Sequence, residues 1–138
     1  MKTLALSTAL LISLSSTVTE ADGETVNNLL QGYATQGVIS TDEKQGEQLW
    51  QKTFNYDGEF AKRSCASCHT KDLTAAGKHV KTGKVIKPIA PSSNAERFTD
   101  SKKVEKWFKR NCLWTMDREC SPQEKANLLV YLNKTIKF

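Results

Sequence analysis

The sequence predicts an all-α domain, and three observations carry that expectation. Four segments place apolar residues on a helical face, helix-capping signatures precede three of them, and no stretch alternates long enough to call a strand. Residues 24–35 carry Val26, Leu29, Leu30 and Tyr33, the i, i+3, i+4, i+7 stripe of an amphipathic helix, and Gly37 fits its end. Ser40 with Glu43 forms a capping box that opens a second helix, whose inward face includes Leu49, Trp50 and Phe54. Asn55 to Glu59 reads as a turn with Gly58.

From Thr70 to Thr99 no period persists, and Gly77, Gly83, Pro88 and Pro91 punctuate the chain. A loop that long in a compact domain is functional or packed over something. Thr99 or Asp100 then caps a helix running to about Asn111, with Val104, Trp107 and Phe108 as its apolar stripe and Asn111 completing it. Lys102, Lys103, Lys106, Lys109 and Arg110 occupy the rest of that helix, either as a solvated face or as a docking patch for a redox partner. Ser121-Pro122-Gln123-Glu124 combines an N-cap, proline at the first helical position and a capping glutamate. Leu128, Leu129, Leu132 and Ile136 give this last helix its buried face.

The ends of the chain set its context. Residues 1–21 read as a cleaved signal peptide, with Lys2 as the charged region, an apolar run from Leu4 to Val18, and Thr19-Glu20-Ala21 as the cleavage site. The apolar run is short for a membrane span and polar sequence follows it, so residues 22–138 form one exported domain with no span after cleavage. Twenty basic residues against 15 acidic ones give a net charge of +5, which favours an acidic partner, and no nucleic-acid motif is present.

Cys65-Ala66-Ser67-Cys68-His69 is the stretch that carries chemistry. Two thiols about one helical turn apart can reach one flat macrocycle and form thioethers with its vinyl groups, and the following histidine can bind the iron from one face. This is the pattern of covalent haem c attachment. A thioredoxin-like redox pair has no use for the histidine and expects a βαβ pattern that is missing here. A zinc site needs two more ligands at short spacing, and no second pair exists. With two cysteines assigned to haem, Cys112 and Cys120 remain, seven residues lying between them, and in an exported protein their default is a disulfide.

The sixth iron position decides function: a strong ligand gives a closed electron carrier, a weak one leaves the iron open to small molecules. Met116, His79 and Asn111 compete for it. Met116 lies 47 residues after His69 yet inside the expected disulfide loop, and His79 sits in a Lys- and Gly-rich loop and reads as a surface residue. Asn111 is a polar residue on an apolar stripe, where a C-cap is the simplest alternative. On the proximal side, Ile86, Pro88 and Ile89 are expected to pack on the macrocycle, with a backbone carbonyl accepting the His69 Nδ1 proton.

The chain resembles class I cytochromes c in its early helix with Gly46 and Trp50, its Cys-x-x-Cys-His and its last helix with Leu128 to Leu132. More closely it resembles the sphaeroides haem protein family of oxygen-binding cytochromes c, through Thr82-Gly83-Lys84, Pro88 to Pro91, Glu96 to Asp100, and Lys103 to Trp107 continuing through Asn111-Cys112 to Cys120. The resemblance implies the class I cytochrome c fold with an added N-terminal helix and one disulfide. It implies one haem c on Cys65 and Cys68 with His69 as proximal ligand, and Asn111 as a distal ligand that leaves on reduction to admit O2, CO or NO. It also implies a Cys112–Cys120 bridge, an exported dihaem cytochrome c as electron donor, and a periplasmic location. A plain electron carrier with Met116 on the iron, and a small peroxidase or nitric oxide dioxygenase, are the alternatives.

Overall fold

The computed structural model describes residues 21–133, so the signal-peptide reading (but for its boundary residue Ala21) and Ile136 lie outside the described residues. Helix α1 spans Ala21–Ala34 and buries Val26, Leu29 and Tyr33. Gly37, at φ 96°, turns the chain out of it; Val38 N–H bonds the Tyr33 carbonyl and Gly37 N–H that of Ala34, the paired bonds of a Schellman ending. Helix α2 spans Glu43–Gln51. Its N-cap is Asp42 and not Ser40: the Asp42 carboxylate accepts from Gln45 N–H at 3.0 Å, while the Ser40 carbonyl accepts from Gln123 on a distant part of the chain.

Strands β1 (Phe54–Asn55) and β2 (Lys62–Arg63) pair antiparallel around Gly58, and Phe54, expected on a helix face, lies in this hairpin. One helical turn, α3 (Cys65–His69), follows directly. The long loop holds a second minimal hairpin, β3 (Gly77–Lys78) with β4 (Val85–Ile86), where the sequence showed no strand. Two-residue ladders are too short to display the alternation that marks a strand. The same loop folds back on the buried Leu73, whose carbonyl accepts from both Ile89 and Ala90.

Helix α4 (Ser101–Met116) begins at the Asp100 cap, which accepts from Lys103 N–H, and runs five residues past the expected end at Asn111. It stops at Asp117, in the left-handed region at φ 55°. Helix α5 (Pro122–Leu132) carries the capping box at Ser121 and Glu124 as the sequence indicates. It is the centre of the core: Ala126, Leu128, Leu129, Tyr131 and Leu132 are buried against Trp50, Val104 and Phe108. The α2–α5 crossing is the main helix contact, and α1 lies against α4 and α5. The fold is all-α, as the class I cytochrome c resemblance implies, with helix α1 ahead of α2 and one disulfide, Cys112–Cys120, whose Cα atoms are 5.5 Å apart. Among the described residues no helix is long and apolar enough to cross a membrane.

Candidate functional site

A five-residue helix is not stable alone, so neighbours must hold α3 in place. Ser64 caps it, accepting from Ser67 N–H at 3.0 Å. Its far end is pinned by Trp50, whose indole N–H donates to the Thr70 carbonyl at 2.9 Å, and Thr70 itself sits at φ 68°, a region threonine rarely adopts. Gly77 presses on the turn so closely that a Cβ there would fall 2.0 Å from the Cys68 carbonyl oxygen. The Trp50 ring lies 5.4 Å from the His69 ring.

Cys65 and Cys68 are both unpaired and half-buried. Burial pushes the Cys65 thiol up to about 11, only partly offset by a hydrogen bond with Thr115, so it is a neutral thiol and not the activated thiolate of a redox motif. Burial, and then the positive charges of Arg97 and His79, hold His69 down at about 4. The imidazole is therefore neutral near pH 7, the form that binds a metal. Among the described residues no three His, Cys, Asp or Glu side chains converge as a metal-ion cluster.

These residues open on a cleft of about 480 Å³, with Cys65, Cys68, His69, Arg97, Asn111 and Trp114 among its walls. An enclosed apolar cavity of about 50 Å³ shares His69, Arg97 and Asn111 with it and is closed by Phe98, Phe108 and Leu128. Trp107, Asn111, Trp114 and Thr115 face the open cleft from α4, each three or four positions from the next or next but one, which is one face of a helix. Among the described residues no Asp or Glu lines either space.

A haem fits this site on two counts: the cleft has the volume of a cofactor pocket, and its thiols lie one turn apart beside a neutral imidazole. The buried Nδ1 of His69 has no hydrogen-bond partner among the described residues. An orphaned buried nitrogen costs about 1–3 kcal/mol, so the ring's place must answer to something other than a hydrogen bond within the protein. The expected carbonyl acceptor for Nδ1 is thus not observed. The Pro88 carbonyl instead accepts from Asn94 and from Arg97 Nε at 2.8 Å.

Asn111 lines both spaces and is exposed to solvent, where the apolar stripe had suggested an inward position. It is a helix-interior residue and not a C-cap. Met116 lines only the enclosed cavity and packs against the core; five positions on, it lies roughly 140° around the helix from Asn111. His79, expected on the surface, is half-buried in the cleft wall, its Nδ1 accepting from Lys81 and Thr82 N–H groups. Arg97 was not singled out from the sequence. Half-buried over Trp107 at 4.8 Å and forked onto the Lys87 and Pro88 carbonyls, it is the cation that lines both spaces and could meet a carboxylate. A lone arginine in a loop thought to wrap a cofactor with acidic substituents was the available signal.

Comparison with known proteins extends the picture. Residues 36–132 match the family described as a domain of unknown function, DUF1924. The cytochrome c-type protein SHP of Cereibacter sphaeroides is 43% identical over 104 residues, covering 75% of this chain and 79% of that protein. Cytochrome c'' of Methylophilus methylotrophus is 49% identical over 69 residues, half of this chain and 48% of that protein. The structure of oxidised SHP, described as an oxygen-binding cytochrome c, superimposes with a TM-score of 0.71 at 42% identity, covering 78% of this chain and 95% of that one. The solution structure of cytochrome c'', described in terms of haem-ligand detachment, matches with a TM-score of 0.68 at 33% identity, covering 84% of this chain and 94% of that one.

Proposed function

The chain belongs to the DUF1924 family and to the family of the cytochrome c-type protein SHP, as a monohaem cytochrome with covalently bound haem c, and from that premise we propose that it reversibly opens a distal site to diatomic gases. Cys65 and Cys68 would hold the haem as thioethers and His69 would bind its iron. Asn111 would be a weak, exchangeable ligand to the oxidised iron. When bound, the haem supplies a redox-active iron able to take O2, CO or NO.

The observation that carries this reading is that Asn111, a solvent-exposed carboxamide, and His69 line one cleft. A carboxamide oxygen is a neutral, hard ligand that suits ferric iron better than ferrous, so its loss on reduction costs little. Once free, its amide N–H is a donor at the mouth of the ligand site. Trp107, Phe98 and Phe108 keep the inner part of the site apolar, and Arg97 answers the haem propionates. SHP is described as oxygen-binding and cytochrome c'' through ligand detachment, and both descriptions agree with this behaviour.

The reading includes export by the signal peptide at residues 1–21, a periplasmic location, and reduction by a dihaem cytochrome c. The exposed Lys102, Lys103, Lys106 and Lys109 on α4 offer a basic face for such a partner. A second reading, an electron carrier with Met116 on the iron, draws support from the presence of Met116 and His69 around the same enclosed cavity.

Absorption spectra of the oxidised protein, and of the reduced protein under argon before and after CO, test the proposal. A high-spin ferrous spectrum that shifts at once with CO is expected, and Asn111→Ala should render the ferric form high-spin while Met116→Leu leaves it unchanged. Sharp low-spin ferrous bands unmoved by CO, lost in Met116→Leu, would establish the second reading instead.

A further inference from the structure

We propose that Arg63 is a positioning residue that sets how firmly Asn111 can be held at the iron, an inference that rests on the Asn111 reading above. The last carbonyls of a helix have no partner within it. In α4 those of Trp114 and Thr115 are taken by the β1–β2 hairpin: Arg63 Nη1 donates to the Trp114 carbonyl at 2.9 Å, and Tyr56 Oη to the Thr115 carbonyl at 3.0 Å. The Arg63 guanidinium lies 4.5 Å from the Tyr56 ring and 4.2 Å from the Trp114 ring, while its Nε donates to the Phe60 carbonyl. A cation at this end of α4 also opposes the negative pole of the helix dipole.

The chain positions at either end of this clamp give it a function. Arg63 stands two residues before Cys65, and Trp114 and Thr115 stand three and four residues after Asn111, on the face that lines the cleft. One side chain therefore joins the turn of haem attachment to the helix that carries the labile ligand. Gripping the end of α4 fixes the distance between Asn111 and His69. Loosening the grip favours the state in which Asn111 has withdrawn.

The test compares Arg63→Gln, Tyr56→Phe, Asn111→Ala and Arg63→Gln/Asn111→Ala as holoproteins, read by ferric absorption and by midpoint potential. Arg63→Gln should weaken Asn111 binding to ferric iron about tenfold. That raises the high-spin ferric fraction and lifts the potential by about 59 mV, the one-electron equivalent of tenfold. Removal of a positive charge near the haem acts in the opposite direction and lowers the potential, so the sign separates positioning from field. Tyr56→Phe, which keeps the stack and loses one carbonyl bond, should give a smaller rise, and it carries the test if Arg63→Gln does not yield holoprotein. In the double variant the rise should vanish, leaving at most the small fall that comes from the lost charge. A potential that falls or stays put in Arg63→Gln, or an equal shift with and without Asn111, overturns the proposal for Arg63 alone. An Asn111→Ala protein with an unaltered ferric spectrum overturns the reading on which it rests.

Discussion

Gly46 and Asn127 meet with no room for a side chain: a Cβ at Gly46 would lie 2.1 Å from the Asn127 carbonyl oxygen and 2.9 Å from Tyr131 Cβ. The contact lets α2 and α5 cross backbone to backbone. The buried Asn127 side chain reinforces the crossing by accepting from Asp42 N–H and from Gln123, and by donating to Gln45. One turn along α2 from Gly46 is Trp50, which pins the end of α3 and packs against both His69 and Tyr131. The crossing thus sets the position of His69.

Gly46→Ala should therefore do more than lower stability. The methyl group meets backbone, which cannot swing aside as a flexible side chain would, so the helices must part. A cost of about 1–3 kcal/mol is expected from overpacking. Denaturant titration of the holoprotein should show a lower midpoint with an unchanged slope, and the ferrous spectrum should broaden as Trp50 loses its place beside His69. A midpoint within error of the parent would mean that the crossing is more compliant than the contact indicates.

The parts of the fold legible from sequence are those set within one stretch of chain. The Ser121–Glu124 box and the Gly37 ending each depend on neighbours only a few residues away, and the structure reproduces both. The Cys-x-x-Cys-His stretch is legible for the same reason, since one turn of helix suffices to gather its side chains. What the sequence hid is non-local. Ser40 makes as good a cap on paper as Asp42, until Gln123 takes the Ser40 carbonyl. Asn111 resembled a helix end because nothing nearby could satisfy the carbonyls of a longer helix; Arg63 and Tyr56 do so from some 50 residues and more earlier in the chain. The Arg97 fork needs the carbonyls of Lys87 and Pro88 held at a particular angle, which only the folded loop supplies.

The Cys112–Cys120 bridge joins the residue after Asn111 to the residue before the α5 cap. Replacing both cysteines by serine should remove about 2–3 kcal/mol in the chain-entropy account, read as a fall in Tm of roughly 10 °C for a domain of this size. Because Cys112 is itself buried on the inner face of α4, the loss should also free Asn111, and the high-spin fraction of the ferric protein should rise along with the melting change. Melting that drops while the ferric spectrum stays fixed would confine the bridge to a structural role.

The last prediction concerns acid. Arg118 grips Glu124 with two bonds of 2.7 Å, and the Ser121 N–H adds a third at 2.9 Å. Those bonds, the arginine pair foremost, hold the Glu124 carboxyl below its ordinary value of 4.5. A carboxyl depressed in the folded state binds its proton more readily when unfolded. The stabilisation is accordingly complete above 4.5 and is lost as pH falls through the lower folded-state value. The pair is partly open to solvent, so its worth is about 1 kcal/mol or less, and salt should reduce it further. Glu124→Gln should melt a few degrees below the parent at pH 7, and the gap should narrow steadily as both proteins are taken from pH 5 to pH 3. A gap of constant width across that range would assign the effect to the capping geometry alone, with no contribution from the charge.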